Sequence, residues 1–165
     1  MPLRLVALPL ALLAVTSSAA QSPSTSPPSV AGSAAPLTSA QTALVEKARR
    51  NGAADVVARP ASGGGMTLVG TLEGDQFAVA IPAGWNGDGL VYAHGYSTPG
   101  TPVAVAEDPV AASTGGGLMR FAYEDGVAVG HSAYDKDGLG VETGTLNTKR
   151  LRDFLVKLGA RRVYA

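Results

Sequence analysis

Residues 88–100 read DGLVYAHGYSTPG, and this stretch decides the fold. Leu90 to Ala93 carry no polar alternation, and the segment 90–94 reads as a strand covered on both faces, as in a parallel sheet. The strand runs into His94-Gly95-Tyr96 and then into Ser, Thr, Pro and Gly. Open α/β sheets place their ligand sites at such carboxyl ends. A glycine there permits unusual backbone angles and close approach. The turn that follows exposes backbone N–H groups, the kind of donor that holds a developing oxyanion.

The flanking segments predict an α/β sheet. Upstream, MTLVGTL (66–72) and QFAVAIP (76–82) are short apolar runs separated by Glu73-Gly74-Asp75, a hairpin signal. Pro82 ends the second run because it cannot donate to a ladder. Downstream, Leu118–Glu124 reads as a helix ended by Gly126, VAVGHS (127–132) as another continuous strand, and TGTLNTKRLRDFLVKLG (143–159) as a helix. In that last helix Leu151, Phe154, Leu155 and Leu158 fall on one face and Gly159 closes it. LTSAQTALVEKARRNGAAD (37–55) predicts a further helix, capped by Thr38 or Ser39 with Gln41 near the capping-box position and stopped by Gly52. The expected order is a leading antiparallel hairpin followed by parallel strands with crossover helices. Arg161-Arg162-Val163-Tyr164-Ala165 reads as the first half of a core strand, which predicts a chain cut short of its second half; a short terminal edge strand is the other reading.

The front of the chain is different. Arg4, the apolar run Leu5–Val15 and the small residues Ser18-x-Ala20 form a secretory signal pattern over 1–20, with an apolar run too short to span a bilayer. Residues 21–37 are rich in Pro, Ser and Ala without charge, the composition of a disordered linker. The folded part is thus expected over 38–165, and the location is secreted or periplasmic, with no stable membrane anchor. The chain has 13 basic and 13 acidic residues, which leaves no electrostatic footprint for nucleic acid. It has no cysteine, which excludes disulfides, thiolate metal sites and a cysteine nucleophile. No cofactor or metal motif emerges. DKDGLG (135–140) has Leu139 at a ligand position of an EF-hand loop, and SGGG (62–65) and TGGG (114–117) lack the residues of a phosphate loop. Trp85 reads as a core anchor, with a substrate-stacking residue as the other reading.

FAVAIPAGWNGDGLVYAHGY, followed by EDGVAVGHSAYDKDGLGVETG and a helix, resembles the front half of secreted bacterial α/β-hydrolases of the esterase and lipase-like type, over about residues 66–165. The resemblance implies a partial α/β-hydrolase sheet acting on a small-molecule carboxylic ester, with the Tyr96 backbone N–H as one oxyanion donor. It implies that His94 and Gly95 shape the oxyanion loop, and that His94 is a hydrogen-bonded strand-end residue and not the general base. GHSAY (130–134) is similar to the G-x-S-x-G nucleophile elbow, but Tyr134 stands where the second glycine belongs, a loop follows, and no histidine comes after His131. Ser132 is therefore either a decoy nucleophile or a strand end that lines the mouth of the site. By the resemblance the serine, acid and histidine fall beyond residue 165, and the chain by itself is expected to be inactive. The alternative reading is a non-catalytic exported α/β module that binds a small ligand or a surface partner.

Overall fold

The computed structural model describes residues 36–61, 64–111 and 114–165. The expected signal peptide (1–20) and nearly all of the expected linker (21–37) lie outside the described residues, as do Ser62 and Gly63 of the SGGG stretch. Helix α1 spans Ser39–Arg50 and begins as predicted. The Thr38 hydroxyl accepts from the Gln41 N–H and the Gln41 side chain accepts from the Thr38 N–H, a complete capping box. Gly52 follows with φ +96 and turns the chain into strand β1, Ala53–Pro60.

Strand β1 corrects the expected helix over 37–55. Its alternation is broken by a register shift between Ala54 and Val57, where Asp55 takes φ +52. A bulge of this kind destroys the period-two signal by which a strand is read. Strands β2 (Met66–Leu72) and β3 (Asp75–Ile81) form the predicted antiparallel hairpin around Glu73-Gly74. Strand β4 covers Asp88–Val91, helix α2 Leu118–Glu124, strand β5 Ala128–Ser132, helix α3 Val141–Leu158 and strand β6 Arg162–Tyr164.

The strands make one mixed six-stranded sheet in the order β1-β2-β3-β5-β4-β6. The meander β1-β2-β3 is antiparallel and joins β5 antiparallel, while β5, β4 and β6 are mutually parallel. This is an α/β arrangement with an antiparallel leading portion. The strand expected over 90–94 is displaced toward the amino end. After the Tyr92 N–H donates to the Gly130 carbonyl at 2.8 Å, the chain leaves the ladder. The last pair of the β4–β6 ladder sets Tyr164 opposite Leu90.

Neighbouring residues on each strand face opposite layers. Phe77, Val79, Ile81, Val91 and Ala128 pack with Leu151, Phe154, Leu155 and Leu158 of α3 and with Val45 and Ala48 of α1. The Phe77 and Phe154 rings meet at 5.1 Å. On the other face Ala80 and Val129 pack with Met119 and Tyr123 of α2. The crossover from β4 through α2 moves one way along the sheet, and the crossover from β5 through α3 moves the other way, past β4. Crossovers of one hand that travel in opposite directions put their helices on opposite faces. The carboxyl ends of β4 and β5 are therefore a topological switch point, where connecting loops part and leave a crevice.

Candidate functional site

A cleft of about 460 Å³ lies at this switch point. Ala93–Tyr96 after β4, Tyr134 and Gly138–Val141 after β5, one end of α3, and Ala165 at the end of β6 line it. Its walls are mainly apolar side chains and glycine backbone, with His94, Tyr96 and Tyr134 as the polar groups of the two loops.

The two loops are tied across the crevice. The Gly138 N–H donates to the Ser97 carbonyl at 2.8 Å, and the Ser97 N–H returns a bond to Gly138. The Gly100 N–H donates to the Asp137 carboxylate. Tyr134 makes the central contact. Its hydroxyl donates to the His94 carbonyl at 2.7 Å, and its ring stacks on the His94 imidazole at 3.7 Å with a 22° tilt. Burial raises the Tyr134 phenol above its ordinary value, which keeps the donating O–H protonated. The other side of the ring rests on α3, where a Cβ at Gly144 would stand 2.7 Å from a ring carbon. A glycine inside a helix costs about 1 kcal/mol against alanine, and here it makes room for the tyrosine.

His94 Nδ1 lies 3.0 Å from the Gly95 carbonyl. A carbonyl only accepts, so Nδ1 carries a proton in this contact. Tyr96 is 65% exposed and lines the cleft, and its N–H has no partner among the described residues. Gly95 differs from expectation. It adopts no positive φ, and a Cβ there would meet nothing within 4 Å. The loop does not need glycine for its angle; the glycine leaves the space beside Tyr96 open.

Ser132 is elsewhere. It ends β5, is 5% exposed, sits opposite Phe77 and neighbours Asn147 and Leu151 of α3, so it does not line the mouth of the cleft. Its neighbour His131 points to the other face, where Nε2 lies 3.0 Å from the Ala106 carbonyl. Burial depresses the His131 pKa, the carbonyl opposes that, and His94 adds a small depression. Both histidines are thus bonded to backbone carbonyls and neither to a serine. Helix α3 starts at Val141, two residues before the predicted start, so the loop after Tyr134 is Asp135–Gly140. Asp135 turns to Asn147 and Asp137 to Gly100, so the DKDGLG carboxylates diverge. Trp85 is half-buried against the core and donates to the Asp88 carbonyl at 2.7 Å.

Sequence reasoning singled out His94, Gly95 and Tyr96 but missed Tyr134 as a structural member of the site. The signal was present, since a tyrosine two residues past a strand end precedes a helix that carries an otherwise unfavourable glycine, Gly144, in its first turn. The chain matches no family model, no curated protein and no solved structure.

Proposed function

We propose that this chain carries the oxyanion-loop half of a serine hydrolase cleft for small carboxylic esters, with an α/β-hydrolase type of sheet. The observation that carries the reading is Tyr96 in the lining of a switch-point cleft, its N–H without a partner among the described residues. Oxyanion donors of this class come from the loop after a central parallel strand and from the residue after the nucleophile. His94 and Gly95 set the first donor. Ala165 at the end of β6 lines the same cleft. Among the described residues no serine lines this cleft, and the expected outcome is no ester turnover by this chain. The same reading has the protein exported, on the strength of Arg4, Leu5–Val15 and Ser18-x-Ala20.

Chemically, the ester carbonyl lies against the loop, and the N–H of Tyr96 meets the oxygen as it gains charge on attack. A fixed oxyanion donor is worth about 2.7–4 kcal/mol at that stage. A butylphosphonate monoester tests the reading, because its tetrahedral anion mimics the charged oxygen and its tail suits the apolar wall. The expected result is amide NMR shifts at Gly95 and Tyr96, with further shifts at Leu139 and Val141, and no hydrolysis of p-nitrophenyl butyrate above the uncatalysed rate. Robust hydrolysis abolished by Ser132→Ala would overturn the reading and make Ser132 the nucleophile.

The apolar lining favours a second reading, a non-catalytic module that binds a small apolar ligand. Butanol separates the two. If it produces the same shifts at the same concentration as the phosphonate, the oxyanion plays no part and the binding module stands.

A further inference from the structure

The two outer edges of the sheet are built differently. The edge of β1 is broken by the register shift between Ala54 and Val57, where Asp55 takes φ +52, and the strand finishes in Pro60. A bulge and a proline are features that keep an edge from pairing with another chain. The edge of β6 has neither. Arg162-Val163-Tyr164 pairs with β4 on one side and with no strand on the other among the described residues.

Backbone alternation fixes what that edge presents. The Arg161 N–H donates to the Gly87 carbonyl at 2.7 Å, so the backbone groups of Arg161 face β4. Successive residues of a strand turn these groups to opposite sides, so those of Val163 also face β4. The N–H and C=O groups of Arg162 and Tyr164 therefore point outward, and no other element among the described residues bonds to them. The side chains alternate as well. Val163 packs on the α3 layer, which puts Arg162 and Tyr164 on the α2 face. There the Arg162 guanidinium is held by the Asp88 carboxylate at 3.0 and 2.6 Å, and Tyr164 is 54% exposed opposite Leu90.

We propose that the β6 edge is a self-association surface, on which a second copy of this chain adds its own β6 antiparallel, with Val163 opposite Val163. Antiparallel pairing of a segment with itself has a two-fold axis. The faces of the two sheets match only if that axis passes through a residue. An axis at Val163 sets Arg162 opposite Tyr164 of the second copy, and the reverse. Every outward N–H and C=O of Arg162 and Tyr164 then meets a partner. The same pairs lay a cation against an aromatic ring, a favourable cross-strand match. An axis at Arg162 would set like charges opposite each other, and an axis at Tyr164 would leave the outward groups of Arg162 with no partner in β6. Charge and hydrogen bonding thus select one register. A two-fold contact closes on itself, and the broken edge of β1 accepts no further copy, so the product is a dimer and not a fibre.

The pairing does not depend on the chemistry of the cleft, and its test uses no substrate. The full chain is examined by sedimentation from micromolar to millimolar concentration, the range suited to a short edge contact. Amide hydrogen exchange is followed at both ends of that range. The expected result is a reversible monomer–dimer equilibrium in which the Arg162 and Tyr164 amides gain protection at high concentration, whereas Val163, bonded toward β4, is protected throughout. Tyr164→Lys keeps the backbone donor but sets like charges opposite each other on both sides of the axis, and should weaken the dimer about tenfold. Tyr164→Pro removes an outward N–H that the monomer does not use, and should abolish the dimer. Val57→Lys, on the exposed part of β1, should leave it unchanged. A chain that stays monomeric at millimolar concentration overturns the proposal. So does a dimer in which the Arg162 and Tyr164 amides exchange as fast as in the monomer, or one that Tyr164→Lys leaves equally tight.

Discussion

Strands β4 and β5 lie side by side, and each ends in a histidine, small residues and a tyrosine. His94-Gly95-Tyr96 follows β4, and His131-Ser132-Ala133-Tyr134 closes β5. Their fates are opposite. His131 and Ser132 are buried in the two packed layers, whereas Tyr96 is 65% exposed at the cleft. The difference comes from ladder partners. Strand β5 is paired with β4 as far as Gly130 and with β3 through Ser132, so its last side chains still alternate into packed layers. Strand β4 loses its ladder at Tyr92, and the residues beyond it are free to become a loop. The same residue types thus serve packing where the sheet continues and site-building where it stops.

The sharpest way to break this contrast is to add one methyl group to each strand end. At Gly130 a Cβ would stand 2.8 Å from a Val79 methyl and 3.2 Å from the Ala78 carbonyl. Overpacking of this kind costs about 1–3 kcal/mol. Gly130→Ala should therefore lower the urea midpoint clearly. Gly95→Ala, with open space around the new Cβ, should stay within about 0.5 kcal/mol of the parent. Equal losses at the two positions would mean that the loop after β4 is as tightly packed as the end of β5.

The histidines separate by pH. Burial lowers His131 in the fold, so its neutral form is favoured there. The stability this contributes is present above the unfolded value of 6.5 and is lost as pH falls below it toward the depressed folded value. Asp75 has the reverse sign. Raised to about 6, it contributes fully below the ordinary 3.8 and loses that contribution as pH rises through 6. His131→Gln should flatten the acid limb of a stability–pH curve, and Asp75→Asn should remove the opposing fall between about pH 4 and 6. If His131→Gln left the acid limb unchanged, the ring would have to be as free to protonate as an exposed imidazole.

Tyr134 bridges the two ends, and removing only its hydroxyl isolates that bridge. Tyr134→Phe keeps the ring on Gly144 and on His94 but leaves the His94 carbonyl without its donor. The loss should be about 1 kcal/mol. Faster hydrogen exchange in the segment 94–97 should accompany it, with no change in β5. A loss spread evenly over β5 as well would make Tyr134 a core residue and not a bridge.

Much of the fold was legible because regular periodicity carried it. The α3 face from Leu151 to Leu158, the β2–β3 hairpin around Glu73-Gly74 and the Thr38–Gln41 cap are local patterns with local causes. Strand β1 was hidden by its bulge at Asp55, since a register shift erases alternation. The order that sets β4 between β5 and β6 is a long-range fact that no local window carries. At the site, His94-Gly95-Tyr96 was visible as an interrupted strand. The roles of Tyr134 and Asp135 were not, because their partners His94, Gly144 and Asn147 come from other elements. Ser132 shows the opposite failure, a motif legible in sequence whose side chain the sheet turns inward.

The smallest stability effect is expected at Tyr96, and it sharpens the comparison most finely. The ring is exposed, so Tyr96→Ala should change stability by less than about 0.5 kcal/mol. The substitution keeps the backbone N–H. If that N–H is what the cleft offers an oxyanion, the phosphonate-induced shift at residue 96 persists in the variant with at most a small loss of affinity. If the shift disappears while the fold is unchanged, the tyrosine ring carries the recognition. The loop after β4 would then act by side chain, as β5 does at His131, and the contrast between the two strand ends would be one of exposure alone.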